Sequence, residues 1–197
     1  MPIAAVDDKY RHGETALARM RDINTDELSP RQLKLHDDLL RSRLRDTLTG
    51  PFAVLIHTPD IAEPTDRLVD YFRQSPKLGR RLVELIILLV VGDAGAQYAW
   101  SVHEPTALKQ GLTQDTIDAI RARREPNFAR QDERLIYEIV MELLATKTLG
   151  AATFERAKAA LGEIGVIEAI TCVGLYGMIG LALNVFEIPP RPGKRGS

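Results

Sequence analysis

The stretch Leu82-Val83-Glu84-Leu85-Ile86-Ile87-Leu88-Leu89-Val90-Val91 is apolar at every position except Glu84. A helix that is apolar on all sides is normally buried on all sides. Burial of an unpaired ionised carboxylate is costly, so Glu84 needs a hydrogen-bonding or charged partner. Gly92 and Gly95 follow, and a second helix with the sequence Gln97-Tyr98-Ala99-Trp100-Ser101-Val102-His103 comes after them. These residues predict a core of two adjacent helices that contains a buried carboxylate.

The remainder of the chain also has a helical pattern, because its apolar residues recur at spacings of three and four. The predicted helices cover residues 31–48, 60–73, 80–91, 96–110, 115–123, 131–147, 153–162 and 166–186. Ser29-Pro30 is predicted to begin the first helix, and Thr113 to cap a later one. We therefore expect an all-α, single-domain helical bundle over residues 31–188. Residues 1–30 form an N-terminal extension in this interpretation, and residues 189–197 form an irregular tail.

Composition and net charge limit the partners and the cellular location that we expect for this protein. The net charge of −1 over 197 residues gives no electrostatic reason to expect a nucleic-acid partner. The single cysteine, Cys172, excludes an internal disulfide and is compatible with a reducing cytosol. The segment Met1–Asp8 is acidic and its apolar run is too short for a signal peptide. The expected location is the cytoplasm.

One segment has the length of a short membrane span. Residues 169–186 carry no charge, and a run of about 18 apolar residues lies at the lower limit for crossing a bilayer. Gly174, Gly177 and Gly180 lower its hydropathy and allow another helix to approach closely. We expect a buried or subunit-interface helix here rather than a tail anchor, and no membrane partner.

Glu84 and His103 form the candidate catalytic pair. Ala96, Ala99, His103 and Ala107 are spaced by three and four residues, so they share one face of their helix. A tight turn between the two helices allows Glu84 to reach His103. A carboxylate that hydrogen-bonds an imidazole fixes its tautomer and raises its basicity. A purely structural pair that joins two helices remains the alternative.

Other residues are candidates for substrate binding. Arg80 and Arg81 precede the apolar run, and an arginine can hold a substrate carboxylate through two parallel hydrogen bonds. Surface positions are the alternative for these two residues. The further candidate substrate contacts, each with a core or interface position as its alternative, are His57, Tyr98, Trp100, Tyr176 and Asn184.

No metal or cofactor motif is present in the sequence. His103-Glu104 begins like a zinc-protease motif but lacks the second histidine, and the four histidines have no metal-ligand spacing. The chain has no phosphate-binding loop, dinucleotide fingerprint or nucleophile elbow. We therefore expect a protein without a bound metal or cofactor.

Three segments in this order resemble the carboxymuconolactone decarboxylase family, within the alkylhydroperoxidase D-like superfamily. They are Leu48-Thr49-Gly50-Pro51-Phe52-Ala53-Val54-Leu55-Ile56-His57-Thr58-Pro59, Glu84-Leu85-Ile86-Ile87-Leu88 and Gln97-Tyr98-Ala99-Trp100-Ser101-Val102-His103-Glu104-Pro105. The resemblance covers roughly residues 45 to 190. It implies an all-helical fold of the alkylhydroperoxidase D-like type and assembly into homo-oligomers, as trimers or hexamers.

The resemblance also assigns roles to residues. In the peroxidase branch a Glu precedes a C-x-x-C pair that is followed by a His, and these positions correspond to Glu84, Ala96, Ala99 and His103. The chain therefore resembles a branch that lacks the C-x-x-C pair. Without these two thiols, reduction of a peroxide by a dithiol mechanism is not expected. A peroxidase that uses Cys172 alone is a remote alternative.

The expected function is that of a cofactor-free lyase in aromatic catabolism, which decarboxylates a small carboxylated lactone of the carboxymuconolactone type. His103 would donate or accept the proton, Glu84 would orient His103, and Arg80 or Arg81 would hold the substrate carboxylate. The alternatives are an isomerase or hydrolase of a related lactone, and a thiol-free protein that binds ligands or serves as an assembly subunit.

Overall fold

The computed structural model describes residues 19–20, 23–43, 46–74 and 76–190. Within these ranges the chain forms eight α-helices and no strand. The helices are α1 Pro30–Arg43, α2 Pro51–Leu55, α3 Pro59–Gln74, α4 Arg80–Asp93, α5 Gln97–Lys109, α6 Gln114–Arg121, α7 Gln131–Thr146 and α8 Ala151–Val185. The all-α prediction is confirmed.

Helix α4 is the centre of the fold. Every residue from Leu82 to Val91 is buried, including Glu84, and the helix packs against α5, α7 and α8. The turn after α4 is short because the N–H of Ala96 bonds back to the carbonyl of Val91, 2.9 Å away. This turn places α5 alongside α4, so that residues near the start of α4 face the middle of α5.

Helix α8 is long and changes direction once. Gly162 interrupts it with φ 70° and ψ 169°, a conformation that favours glycine, and the predicted boundary between two helices lies at this residue. By length and composition α8 could cross a membrane, but half of its most apolar window is buried inside the domain. The inner face of α8 thus serves as core.

The helix starts follow the predicted capping residues. Gln32 N–H donates to Ser29 Oγ, and Ser29 N–H donates to Gln32 Oε1, which together form a capping box before α1. Thr113 Oγ1 accepts from the N–H of Thr116 at the start of α6. These side chains satisfy N–H groups that a helix leaves without a partner in its first turn.

The predicted first helix is too long. Helix α1 ends at Arg43, residues 44 and 45 lie outside the described residues, and residues 46–49 are not helical. The non-helical segment lets the chain turn into α2. The predicted N-terminal extension and irregular tail fall mostly outside the described residues, so the domain boundaries stay predictions.

A buried carboxylate fixes the loop between α3 and α4. Glu168 of α8 accepts hydrogen bonds from the N–H groups of Lys77 and Leu78, each at 2.8 Å, and from the hydroxyl of Tyr71. These bonds satisfy loop N–H groups that would otherwise be buried without partners. They also hold the start of α4, where Arg80 lies.

Candidate functional site

Glu84, Arg80 and His103 form one connected polar group. The Nδ1 atom of His103 lies 2.8 Å from Oε2 of Glu84, and Arg80 donates to Oε1 of the same carboxylate. The second guanidinium nitrogen of Arg80 donates to the carbonyl of Phe72 at 2.6 Å. Because Arg80 stands four residues before Glu84 on α4, both side chains leave the helix on the same face. The carboxylate is fully buried and has a partner on each oxygen.

The carboxylate sets the orientation of the imidazole. A carboxylate accepts hydrogen bonds, so the Nδ1 atom of His103 carries the proton in this pair. The ring of Tyr176 stands edge-on to the imidazole, with centroids 5.1 Å apart and an interplanar angle of 89°. These two contacts hold the ring in one plane and leave Nε2 as the atom available for proton exchange.

A cavity of about 200 Å³ lies beside this group. Its wall combines apolar side chains with a few polar ones, the usual composition of a small-molecule site. The lining residues are Arg43, Thr49, Pro51, Phe52, Val69, Arg73, Arg80, Glu84, Tyr98, Ala99, Val102, His103, Thr106, Tyr176, Ile179 and Leu183. The structure therefore brings together five of the nine predicted site residues: Arg80, Glu84, Tyr98, His103 and Tyr176.

Two lining arginines, Arg43 and Arg73, are absent from the sequence-based predictions. Arg43 is paired with Asp66 and lies over the ring of Phe52, 4.4 Å from its centroid. Arg73 is paired with Asp70 at 3.0 Å, and its side chain is 43% exposed. Among the described residues of the cavity wall, they and Arg80 are three cations, and Glu84 supplies one carboxylate. Asp66 and Asp70 balance the charges of Arg43 and Arg73 from outside the wall, so the groups that face the cavity itself are mostly donors, which suits an anionic ligand.

Tyr98 adds a hydroxyl to the wall. Its oxygen is 2.9 Å from Oγ1 of Thr49, and both residues line the cavity. The ring of Tyr98 lies directly against Gly50, which has φ 71° and where a Cβ atom would overlap the ring. Gly50 is therefore required both for its backbone conformation and for the close approach of Tyr98.

Arg81 and Trp100 are predicted site residues that do not line the cavity. Arg81 bonds to the buried carboxylate of Glu133 on α7, since successive helical residues point about 100° apart and Arg81 cannot share the direction of Arg80. Trp100 donates its indole N–H to Glu104 at 3.2 Å, and Arg121 lies over its ring. Both side chains join helices to one another.

His57 and Asn184 also lie outside the cavity wall. Asn184 donates its amide to the carbonyl of Ala94 at 2.7 Å, which ties the end of α8 to the turn between α4 and α5. His57 follows α2, and its Nε2 atom is buried without a hydrogen-bond partner among the described residues. Neither residue is placed to contact a ligand in this cavity.

The positions that resemble a cysteine pair carry alanine. Ala96 and Ala99 are both buried, and Ala99 lines the cavity next to His103. Cys172 is buried on α8 and is not part of the cavity wall. Burial, and secondarily the Glu84 carboxylate, raises the pKa of the Cys172 thiol. The thiolate needed for peroxide chemistry is therefore disfavoured.

No group of three His, Cys, Asp or Glu side chains is placed to hold a metal ion within the described ranges. The chemistry on the cavity wall is that of one imidazole, one carboxylate, three guanidinium groups and several hydroxyls. Such a set can bind an anion, move a proton and stabilise a developing negative charge.

Comparison with known proteins agrees with this architecture. Residues 59–130 match the model of the carboxymuconolactone decarboxylase family, and this segment contains Arg80, Glu84 and His103. No match was found among the curated proteins.

Two solved structures share the fold. An AhpD-core, peroxidase-related protein of uncharacterised function from Ralstonia eutropha has a TM-score of 0.73 at 12% identity, covering 89% of this chain and 93% of that one. A protein of unknown function from Agrobacterium tumefaciens, described in relation to antioxidant defence and AhpD, has a TM-score of 0.63 at 17% identity. That alignment covers 73% of this chain and 99% of the other.

Proposed function

We propose that this chain is a member of the carboxymuconolactone decarboxylase family and a cofactor-free lyase that removes carbon dioxide from a small carboxylated lactone. The observation that carries the proposal is the Glu84–His103 hydrogen bond at the wall of a cavity that three arginines also line. We also expect the protein to act in the cytoplasm.

The proposed reaction has two steps. The carbon–carbon bond to the carboxylate breaks, carbon dioxide leaves, and the electron pair moves into a dienolate that ends on the lactone carbonyl oxygen. A protonated His103 then delivers a proton to carbon, and solvent returns one to the imidazole. Glu84 supports this step because its carboxylate stabilises the imidazolium and fixes the ring through Nδ1.

The arginines divide into two roles. Arg80 is engaged by Glu84 and by the carbonyl of Phe72, so it serves to position the carboxylate. Arg43 and Arg73 each use an aspartate partner outside the cavity wall and still face the cavity. We assign to them the binding of a retained carboxylate or of the developing oxyanion.

The leaving carboxylate fits a different part of the wall. It loses its charge as carbon dioxide forms, so a cation beside it would stabilise the ground state more than the transition state. Val102, Ile179 and Leu183 supply an apolar surface in the same cavity. A substrate with its leaving group against this surface and its lactone oxygen toward an arginine satisfies both requirements.

The test is carbon dioxide release from 4-carboxymuconolactone and related carboxylactones by the purified protein. Run in D₂O, the reaction is expected to place one deuterium on the carbon that receives the proton, as read by NMR. Absence of carbon dioxide release from every carboxylactone offered would reject the lyase.

A thiol-free binding or assembly protein is the second candidate, and Ala96 and Ala99 favour it. In that case Glu84 and His103 only join α4 to α5, and the cavity holds an anion without changing it. Saturable binding of a carboxylactone without carbon dioxide release, unaffected by replacement of His103, would identify this function. Conversion without carbon dioxide release would instead indicate an isomerase or hydrolase.

A further inference from the structure

Tyr176 carries a hydroxyl that has no hydrogen-bond partner among the residues that the structure describes. The side chain is buried on α8, at 4% exposed, and it lines the cavity. Its oxygen is not sealed from solvent, in contrast to Nε2 of His57. A buried tyrosine normally finds a partner for its hydroxyl. The open position of this oxygen on the cavity wall therefore indicates that a ligand supplies the partner.

Helix α8 directs Tyr176 into the same cavity as His103. Tyr176, Ile179 and Leu183 are spaced by three and four residues, so they share the face of α8 that lines the cavity. The edge-on contact of the two rings, with centroids 5.1 Å apart, places the phenol beside the imidazole. A small ligand that contacts His103 in this cavity therefore lies beside Tyr176 as well.

The surroundings of Tyr176 keep its hydroxyl protonated. Burial is the main cause that raises the pKa of this phenol, and Cys172 and Glu84 act in the same direction. Arg80 and Arg73 oppose this rise in pKa, because their positive charges lie near the phenol. A protonated phenol donates a hydrogen bond, so it suits a ligand oxygen that accepts one.

A neutral donor distinguishes an enolate from a carbonyl more sharply than a bound cation does. An arginine that holds a retained carboxylate contributes equally before and during the reaction, so it aids binding more than rate. The hydrogen bond from a neutral hydroxyl strengthens as the lactone carbonyl oxygen gains negative charge. Tyrosine is an established donor to enolate oxygens in enzyme sites.

We propose that the hydroxyl of Tyr176 donates a hydrogen bond to the enolate oxygen of a bound lactone. Together with His103 it gives the site a second activity, which is the exchange with water of the proton beside the carbonyl in a lactone that carries no leaving carboxylate. The inference rests on the proposed function for the choice of a lactone as the ligand. An arginine that faces the same oxygen adds its charge to this hydrogen bond.

The exchange runs the protonation step of the lyase in reverse and forward again. Nε2 of a neutral His103 takes the proton from carbon, and the electron pair of that carbon–hydrogen bond moves onto the carbonyl oxygen. The imidazole exchanges its proton with solvent and returns one to carbon, which restores the lactone. The phenol of Tyr176 keeps its own proton throughout.

Deuterium exchange in D₂O tests the proposal on the full chain. The probe is the lactone that loss of carbon dioxide from 4-carboxymuconolactone leaves, and NMR follows the disappearance of its proton signal beside the carbonyl. The wild type is expected to accelerate this exchange above the rate in buffer, and His103→Ala should abolish the acceleration.

Tyr176→Phe isolates the hydroxyl, because a phenylalanine ring keeps the edge-on contact with His103. Loss of one donor to a developing oxyanion should lower kcat by at least about 100-fold, while KM changes by less than about threefold. A tyrosine that only positions the imidazole would not produce this split. Tyr137→Phe is the matched control, since Tyr137 is half-buried on α7 outside the cavity wall, and it should leave both constants unchanged.

Two results would overturn the proposal. One is a wild type that does not accelerate the exchange, and the other is a Tyr176→Phe protein that keeps the wild-type kcat. The variant is expected to retain its circular dichroism spectrum, because the lost hydroxyl bonds to no described residue.

Carbon dioxide release from 4-carboxymuconolactone distinguishes this inference from the proposed function. Exchange that depends on Tyr176 without carbon dioxide release would reject the lyase and support the role of Tyr176. Carbon dioxide release together with exchange that Tyr176→Phe does not slow would support the lyase and reject the role of Tyr176.

Discussion

The Nδ1 atom of His103 lies 2.8 Å from Oε2 of Glu84, which joins the middle of α5 to the first turn of α4. The carboxylate has no contact with solvent, and Arg80 occupies its other oxygen. The same contact thus holds two helices together and orients an imidazole at the cavity. The structural and chemical roles separate when the two residues are replaced one at a time.

Replacement of Glu84 is expected to destabilise the fold. Glu84→Gln leaves the guanidinium of Arg80 without its anion, and removal of one member of a buried ion pair costs about 3–5 kcal/mol. His103→Ala keeps the Arg80–Glu84 pair and loses one hydrogen bond, for which about 1–3 kcal/mol is expected. Urea unfolding measures both values.

Glu163→Gln is the control for this comparison. Glu163 is exposed and pairs with Lys158 at 2.9 Å, and such surface pairs contribute about 0–1 kcal/mol. A Glu84→Gln protein that unfolds at the same urea concentration as Glu163→Gln would show that the Glu84 carboxylate contributes nothing to the fold.

Replacement of Arg73 is the clearest test of whether the cavity recognises an anion. Arg73→Gln removes a guanidinium from the cavity wall, and its partner Asp70 remains accessible to water because both side chains are partly exposed. Loss of one charge-assisted contact to the substrate is worth about 1.5–3 kcal/mol, so affinity for a carboxylactone should fall about 10- to 100-fold. Titration calorimetry measures the affinity.

Arg130→Gln controls for the general loss of positive charge. Arg130 pairs with Asp132 at 2.6 Å and is not part of the cavity wall. Its replacement should leave the affinity within about twofold, since an exposed charge that does not contact the ligand is largely screened by salt. Equal weakening in both variants would contradict a specific role for Arg73.

A comparison of alanine substitutions at Gly50 and Gly79 distinguishes the effect of backbone strain from the effect of the contact with Tyr98. Both have positive φ, 71° and 77°, so an alanine is strained at either position by about 1–3 kcal/mol. An added Cβ meets the ring of Tyr98 at Gly50 but no atom within 4 Å at Gly79. Gly50→Ala should therefore be the more destabilising change and should also weaken ligand binding. Equal losses from both variants would remove the proposed role of Gly50 in seating Tyr98.

Stability should fall in alkaline solution through Cys172. Burial raises the pKa of this thiol, so above the ordinary thiol pKa of about 8.5 the unfolded chain loses a proton that the folded chain keeps. Fewer bound protons in the unfolded state mean that the free energy of unfolding decreases as pH rises, by up to about 1.4 kcal/mol per pH unit.

Cys172→Ala removes this contribution. Its free energy of unfolding should decrease less steeply between about pH 8.5 and pH 10, the interval between the ordinary pKa values of cysteine and tyrosine. The comparison concerns the slope, since the lost thiol also changes the core packing. Identical slopes for wild type and variant would contradict a protonated thiol in the folded state.

Two of the most informative site residues were accessible from the sequence. Glu84 is conspicuous as the single carboxylate in an apolar run, and His103 as the functional side chain on a face of alanines. The two-glycine turn between their helices made the contact foreseeable. In each case a local pattern was enough, because both helices lie next to each other in the chain.

Arg43 and Arg73 were missed because charged residues on amphipathic helices usually face solvent. A signal was nevertheless present, since Arg43 stands four residues after the buried Leu39 and Arg73 four residues after the buried Val69. Arginines in register with core residues face inward. Their meeting at one cavity depends on how α1 and α3 pack on the bundle, which no local pattern encodes.

Trp100 and Arg81 were predicted to contact the substrate, but their side chains lie outside the cavity wall. Each is adjacent in sequence to a cavity residue, Ala99 or Arg80, but the rotation of about 100° per residue turns it toward another helix. Glu104 lies on the same helix as Trp100, but the partners on other helices, Arg121 and Glu133, could be assigned only once the packing of α6 and α7 was known.

Carbon dioxide release from 4-carboxymuconolactone by wild type, His103→Ala and His36→Ala is the most direct test of the account. His36 lies on α1 outside the cavity wall and controls for the loss of an imidazole. Proton transfer by a positioned side chain contributes about 10²- to 10⁴-fold, so His103→Ala should lose at least about 100-fold in rate while His36→Ala keeps the wild-type rate. A folded His103→Ala protein with wild-type turnover would contradict the assignment of His103 as the proton-transfer residue.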